Sequence, residues 1–208
     1  MTNELDYKVI ATGSTGNAVR IGHIMIDCGV PFKHMEEELY KCDTLLLTHT
    51  HSDHINARTL LAIRKKFPRI RVYGNYDVAY QYAVDEIMGT TEFKIPRRET
   101  FVMPFEGKHD VPVTYFSILM DGIKIFYATD TCEVDNPYYV KYDYIFLEAN
   151  YDIQILRQAA KDYARRGYDP ITNAARHLSL QACKAFYYMY RKDESTPLIE
   201  LHMSRRFR

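Results

Sequence analysis

Apolar and polar positions fall into short blocks along this chain, and their period changes from block to block. Blocks at 7–12, 17–21 and 24–27 alternate or are apolar throughout, separated by Gly13-Ser14-Thr15-Gly16 and Gly22-His23. They read as three strands joined by turns. A short helix is expected at 31–40, with Pro31 near its first turn. Leu45-Leu46-Leu47 lies in a block at 44–48 that reads as a buried strand. Leu60, Ile63 and Phe67 share one helical face across 57–67. A strand at 70–73 and a second helix at 77–88 follow. In the second half, apolar blocks at 113–120 and 123–129 flank Asp121-Gly122, a strong two-residue hairpin signal. A strand at 144–148, helices at 153–165 and 180–191, and a closing strand at 198–203 complete the pattern, with Ser179 as the N-cap of the second helix. Two strand-rich halves, each with helices outside, predict an α/β sandwich layered helix, sheet, sheet, helix.

Composition narrows the class. The 208 residues, 47% of them hydrophobic, are enough to bury a substantial core and fit one large domain. The 27 basic and 27 acidic residues cancel, which argues against a coat for long stretches of nucleic acid. The clearest basic patch is Arg205-Arg206-Phe207-Arg208. No run approaches the about 20 apolar residues that a membrane span needs. The opening MTNELDYKVI has no basic region followed by an apolar stretch, so no secretory leader is expected. Cys28, Cys42, Cys132 and Cys183 are scattered with no CxxC pair, the pattern of thiols in a reducing cytoplasm.

The stretch THTHSDH, residues 48–54, changes the picture most. It follows an apolar strand and precedes a helix beginning near Asn56, so it is a loop at a strand's C-terminal end. In an extended loop His49 and His51 project to the same side, and Asp53 and His54 then sit where the chain turns toward the helix. Imidazole suits zinc, manganese or iron, and carboxylate suits harder divalent ions. The spacing fits two adjacent ions, with His49 and His51 on one and Asp53 and His54 on the other.

This HxHxDH motif resembles that of the metallo-β-lactamase fold superfamily. The resemblance implies a four-layer αββα sandwich, a single domain over residues 1–208, and two divalent ions, zinc or manganese. It also implies roles for residues further along. Asp27 matches the aspartate that orients the histidine loop from behind the ligands. His109 in GKHDVP matches the third histidine of the first ion, Asp130 in FYATDT the bridging carboxylate, and His202 in LHMSRRF the last ligand of the second ion.

Further stretches resemble a branch of that family. GSTGNAVRI, MIDCGVP, LEANYD and RHLSL look like segments of YycJ/WalJ-type nucleases, and HMSRRF resembles the terminal motif of ribonuclease Z. In those relatives a histidine paired with a glutamate works near the leaving group, which here implies His177 and Glu148. The chain departs from them at Ala149 and Tyr151. Only 20 positions separate His109 from Asp130, too few for the long tRNA-gripping arm of ribonuclease Z. Minimal relatives of this type include the anti-Pycsar enzymes, which cleave cyclic mononucleotides that act as antiviral signals.

The implied activity is therefore phosphodiester hydrolysis in the cytoplasm. The first expectation for substrate is a 3′,5′-cyclic mononucleotide, in phage counter-defence, and the alternative is DNA or RNA. A lactonase or thioesterase, and a module that keeps metal only for structure, are competing readings. The resemblance also implies a homodimer. Ser14, Thr15 and Asn17 either approach phosphate through backbone N–H groups or only shape their hairpin. Tyr138 and Tyr139 either stack on a base or are ordinary aromatics beside Pro137.

Overall fold

The computed structural model describes residues 4–164, 169–204 and 206–208. Its backbone divides into two compact units, Met1–Thr91 and Glu92–Arg208, each built on a six-stranded sheet.

In the first unit, strands β1 (Tyr7–Ala11), β2 (Ala18–Ile21) and β3 (Ile24–Ile26) form an antiparallel meander. Strands β4 (Thr44–Leu47), β5 (Arg71–Gly74) and β6 (Glu86–Ile87) then extend the sheet in parallel from β3. Such parallel strands are covered on both faces, which is why 44–47 reads as a continuous apolar run. Met25, Leu45, Leu47 and Val72 pack with Leu60 and Ile63 of helix α2 (Ala57–Lys66). Met35 and Leu39, beside and within helix α1 (Glu36–Leu39), complete that core.

Two expected helices are modified. The block at 31–40 is a 3-10 turn, Phe32–His34, followed by the single turn of α1. The helix expected at 77–88 stops at Gln81, as α3 (Tyr76–Gln81), and residues 86–87 become β6. Asp85 explains the difference. Its carboxylate accepts from the Val72 N–H at 2.8 Å, while its own N–H donates to the Val72 carbonyl at 2.7 Å. Arg64 grips the same carboxylate at 2.8 Å. These non-local bonds draw the chain out along β5 and override its helical period.

The second unit mirrors the first in plan. Strands β7 (Phe93–Lys94), β8 (Thr100–Gly107), β9 (Val113–Met120) and β10 (Ile123–Ala128) are antiparallel, and β11 (Tyr144–Glu148) and β12 (Leu198–Leu201) continue in parallel. Asp121 and Gly122 turn the expected hairpin with φ of 50° and 85°. Strand β8 has no counterpart in the pattern reading. It contains Pro104, which has no N–H to donate, and Pro104 lies beyond the two-residue β7, where β8 has become an edge. Helices α4 (Ile153–Ala164), α5 (Pro170–Ala174) and α6 (Leu180–Tyr190) follow β11. Ser179 caps α6 as expected, its Oγ accepting from the Ala182 N–H at 3.1 Å. Arg165 and Arg205 lie outside the described residues. No helix among the described residues is long and apolar enough to cross a membrane.

Candidate metal centre

In both units the chemistry collects at the C-terminal ends of parallel strands, where open α/β sheets place their ligands. The register explains why. In the first unit Ile26 of β3 lies beside Leu46 of β4, so Asp27, one residue on, and Thr48, two residues on, emerge from neighbouring strand ends. Asp27 is fully buried and bends the chain with a φ of 61°. Its carboxylate accepts from the Thr48 N–H at 2.9 Å and from the Thr48 hydroxyl at 2.9–3.0 Å, and lies 2.7 Å from His54 Nδ1. Asp27 thus fixes the His54 ring from behind.

The histidine loop turns at Asp53 and His54, as expected. The N–H groups of His54 and Ile55 both reach the His51 carbonyl, at 2.9 and 2.8 Å, which folds residues 51–55 into a turn. The turn leaves His49 Nε2 and His51 Nδ1 3.1 Å apart, with the His49 and His54 ring centres 4.1 Å apart. Asp53 Oδ2 lies 3.9 Å from His54 Nε2.

Asn17 holds this loop from the first hairpin. Its backbone N–H donates to the Asp53 carbonyl at 2.7 Å, and its side-chain nitrogen lies 2.8 Å from His54 Nε2. The Asn17 side chain also bonds the Gly13 N–H and carbonyl, which closes the glycine turn. Gly29 lets the two segments touch: a Cβ there would sit 1.8 Å from the Asp53 carbonyl oxygen.

In the second unit Ala128 pairs with Leu147, and Glu148 with Leu201. Asp130 and His202 therefore leave the strands either side of β11 one residue beyond the level of Glu148. His177 joins them because residues 178–180 run beside 150–151: Asn150 N–H donates to the Leu178 carbonyl at 2.9 Å, and Leu180 N–H to the Tyr151 carbonyl at 2.8 Å. Ligand atoms of Asp130, Glu148, His177 and His202 all lie within 4.8 Å of one another.

Glu148 is the hub of this group and has no exposed surface. Its Oε1 lies 2.7 Å from His177 Nδ1 and 3.1 Å from His202 Nδ1, and its Oε2 accepts from the Thr131 N–H at 3.1 Å. Asp130 Oδ1 stands 3.5 Å from His177 Nδ1 and from His202 Nε2. The His177 and His202 rings stack at 5.1 Å, and His109 lies 5.4 Å from His177. His109 Nδ1 is 3.1 Å from the Arg176 carbonyl, the residue before His177. Burial pushes the His109 imidazole below its usual pKa, and the nearby Asp130 charge opposes that shift. Like Asp27, Asp130 and His202 have left-handed backbones, with φ of 51° and 47°.

Sequence reasoning passed over three residues that hold the donors. Thr48 lies inside the histidine motif and bonds Asp27. Asn150 lies inside LEANYD and donates to the His202 carbonyl at 2.8 Å. Asn17 reads in the sequence only as a phosphate contact or a hairpin residue, whereas its side chain lies against His54. In each case the available signal was a short polar residue next to a motif residue.

The donor set suits divalent ions. Among the described residues, the clustered groups are imidazoles and carboxylates, with two ring nitrogens of the histidine loop facing each other. Desolvation pushes the thiols of half-buried Cys42 and buried Cys183 up to about 12, so they stay protonated.

Sheets of this plan, with clustered imidazoles and carboxylates at their parallel strand ends, define a metal-dependent hydrolase. The chain belongs to the beta-lactamase superfamily, whose domain model matches residues 23–154, more than half of its length. That family implies divalent metal ions. The chain is 26% identical over 198 residues to exodeoxyribonuclease WalJ of Streptococcus pneumoniae serotype 2 (strain D39), covering 83% of this chain and 72% of that protein. It is 28% identical over 182 residues to exodeoxyribonuclease YycJ of Bacillus anthracis, covering 74% and 66%. The metallo-β-lactamase fold protein YhfI from Bacillus subtilis superposes with a TM-score of 0.72 at 16% identity, covering 97% of this chain and 86% of that one. This last likeness concerns the fold alone.

Proposed function

We propose that this chain is a metal-dependent phosphodiesterase that cleaves nucleic-acid strands, as an exodeoxyribonuclease. The carrying observation is the Glu148–His177 contact at 2.7 Å, set beside Asp130 within one unit. The likeness to exodeoxyribonucleases over most of the chain supports the substrate class.

The proposed ligands of two divalent ions, zinc or manganese, are His49, His51, Asp53, His54, His109, Asp130 and His202. When bound, such ions supply activation of water near neutral pH and neutralisation of charge on the phosphoryl oxygens. The chain's own residues supply the rest. Asp27 holds the His54 ring, and Thr48 holds Asp27. Glu148 accepts a hydrogen bond from His177 Nδ1 and so orients its ring. His177 Nε2 then donates its proton to the departing oxygen as the P–O bond breaks. Glu148 also reaches His202, so one buried carboxylate orients the acid and a ligand together.

A second reading, hydrolysis of 3′,5′-cyclic mononucleotides, is favoured by the short segment between His109 and Asp130. One panel tests both. Metal-loaded protein is incubated with end-labelled single-stranded DNA and RNA, 3′,5′-cyclic mononucleotides and bis(p-nitrophenyl) phosphate, with and without chelator. The proposal expects chelator-sensitive release of mononucleotides from DNA ends, slowing steeply as salt rises. Cleavage confined to cyclic nucleotides, weakly dependent on salt, selects the second reading. Inertness toward every substrate of the panel, bis(p-nitrophenyl) phosphate included, overturns both.

A further inference from the structure

The loop after Asp130 is built to hold two aromatic rings in solvent. It leaves the donor cluster at Thr131, whose N–H bonds Glu148 and whose hydroxyl donates to the Glu133 carbonyl at 2.7 Å. It turns on Asn136, only 2% exposed. The Asn136 side-chain nitrogen donates to the Val140 carbonyl at 2.8 Å, its side-chain oxygen accepts from the Val140 N–H at 3.2 Å, and its carbonyl accepts from the Tyr139 N–H at 3.0 Å. Within that clasp Tyr138 and Tyr139 are 63% and 78% exposed. Tyr139 has a φ of 52°, a strained conformation for a bulky side chain. Phe105 supports Tyr138 at 6.2 Å and stacks on the buried Tyr115 at 5.2 Å.

The end of α6 is fastened to the same loop. Tyr142 N–H donates to the Tyr190 carbonyl, and Lys192 N–H to the Tyr142 carbonyl, both at 2.9 Å. The same helix end carries another exposed ring, Tyr188, with the Arg191 guanidinium 5.0 Å from its ring centre. A buried clasp and two exposed rings, one on a strained backbone, make a surface for flat rings.

We propose that Tyr138 and Tyr139 are a stacking platform for unpaired bases of a nucleic-acid strand delivered to the adjacent donor cluster. The proposal rests on the nuclease reading above. Stacking uses the π-face that every base presents, so the platform grips a strand without reading its sequence.

The test measures fluorescence anisotropy of metal-loaded protein with a fluorescein-labelled, phosphorothioate-linked single-stranded DNA, which resists cleavage, and with an abasic strand of equal length. Tyr138→Ala and Tyr139→Ala are each expected to raise Kd for the base-bearing strand about 10-fold. Tyr138→Phe and Tyr139→Phe, which keep the ring, are expected to stay within about twofold of wild type, and affinity for the abasic strand is expected to change far less. Alanine variants with wild-type Kd, or with equal losses for both strands, overturn the platform. So does a wild type that does not favour the base-bearing strand. Cleavage of ordinary DNA is scored separately: a wild type that binds but does not cleave overturns the nuclease reading and leaves the platform standing.

Discussion

The two units reach the same kind of chemistry by opposite routes. In Met1–Thr91 the donors are consecutive, four within His49–His54, and the fold's task is to clamp one loop from behind with Asp27, Thr48 and Asn17. In Glu92–Arg208 the donors are solitary residues at 109, 130, 148, 177 and 202: strand register brings 130, 148 and 202 together, and loop contacts add 177 and 109. A local motif needs support for its orientation. A dispersed cluster needs the whole sheet for its existence. The first unit therefore concentrates its vulnerability in a few contacts behind the loop, and the second spreads it along three strand ends.

The largest expected effect breaks or sharpens that contrast at Asp130. Asn tolerates the left-handed backbone there, so Asp130→Asn removes charge without forcing the chain. Turnover of bis(p-nitrophenyl) phosphate is expected to fall by on the order of 10³-fold or more, with unchanged circular dichroism. Activity near wild type would mean that the dispersed donors are structural. His177→Ala should come next, lowering kcat by about 10²–10⁴. Equal metal content by mass spectrometry is expected, and metal loss would make His177 a ligand instead of an acid.

On the other side of the comparison, Asp27→Asn should weaken metal binding by about 10–100-fold, read by competition with a chromophoric chelator. A smaller change would show that the histidine loop holds its shape without the clamp. The smallest effects concern stability. At Gly29 a methyl group meets backbone, at 1.8 Å from the Asp53 carbonyl, whereas at Gly107 it meets the Val113 and Thr131 side chains at 2.8 and 3.1 Å. Gly29→Ala is expected to cost about 3 kcal/mol and Gly107→Ala about 1 kcal/mol in chemical denaturation. Reversed values would contradict the rigid support of the first loop.

The same contrast governs what the sequence made legible. The histidine loop was readable from its own residues, because its donors are neighbours on the chain. Asp130, Glu148, His177 and His202 were readable only through resemblance, since each alone is an ordinary polar residue at a strand or loop end. Most strands were visible in their apolar blocks, β11 with its full extent at 144–148. Strand β8 was not, because Pro104 argues against a strand unless the length of its neighbour is known. The helix expected at 77–88 failed because Asp85 spends its polar groups on β5, a partner that no local period reveals.

Asp27, Asp130 and His202 leave their strands with positive φ, a region that non-glycine residues seldom enter and β-branched ones almost never do. At these three exits the peptide geometry screens substitutions before reactivity does. Asparagine and glycine pass that screen, valine and isoleucine do not, and a library built to retune this enzyme would find those positions narrow on conformational grounds alone.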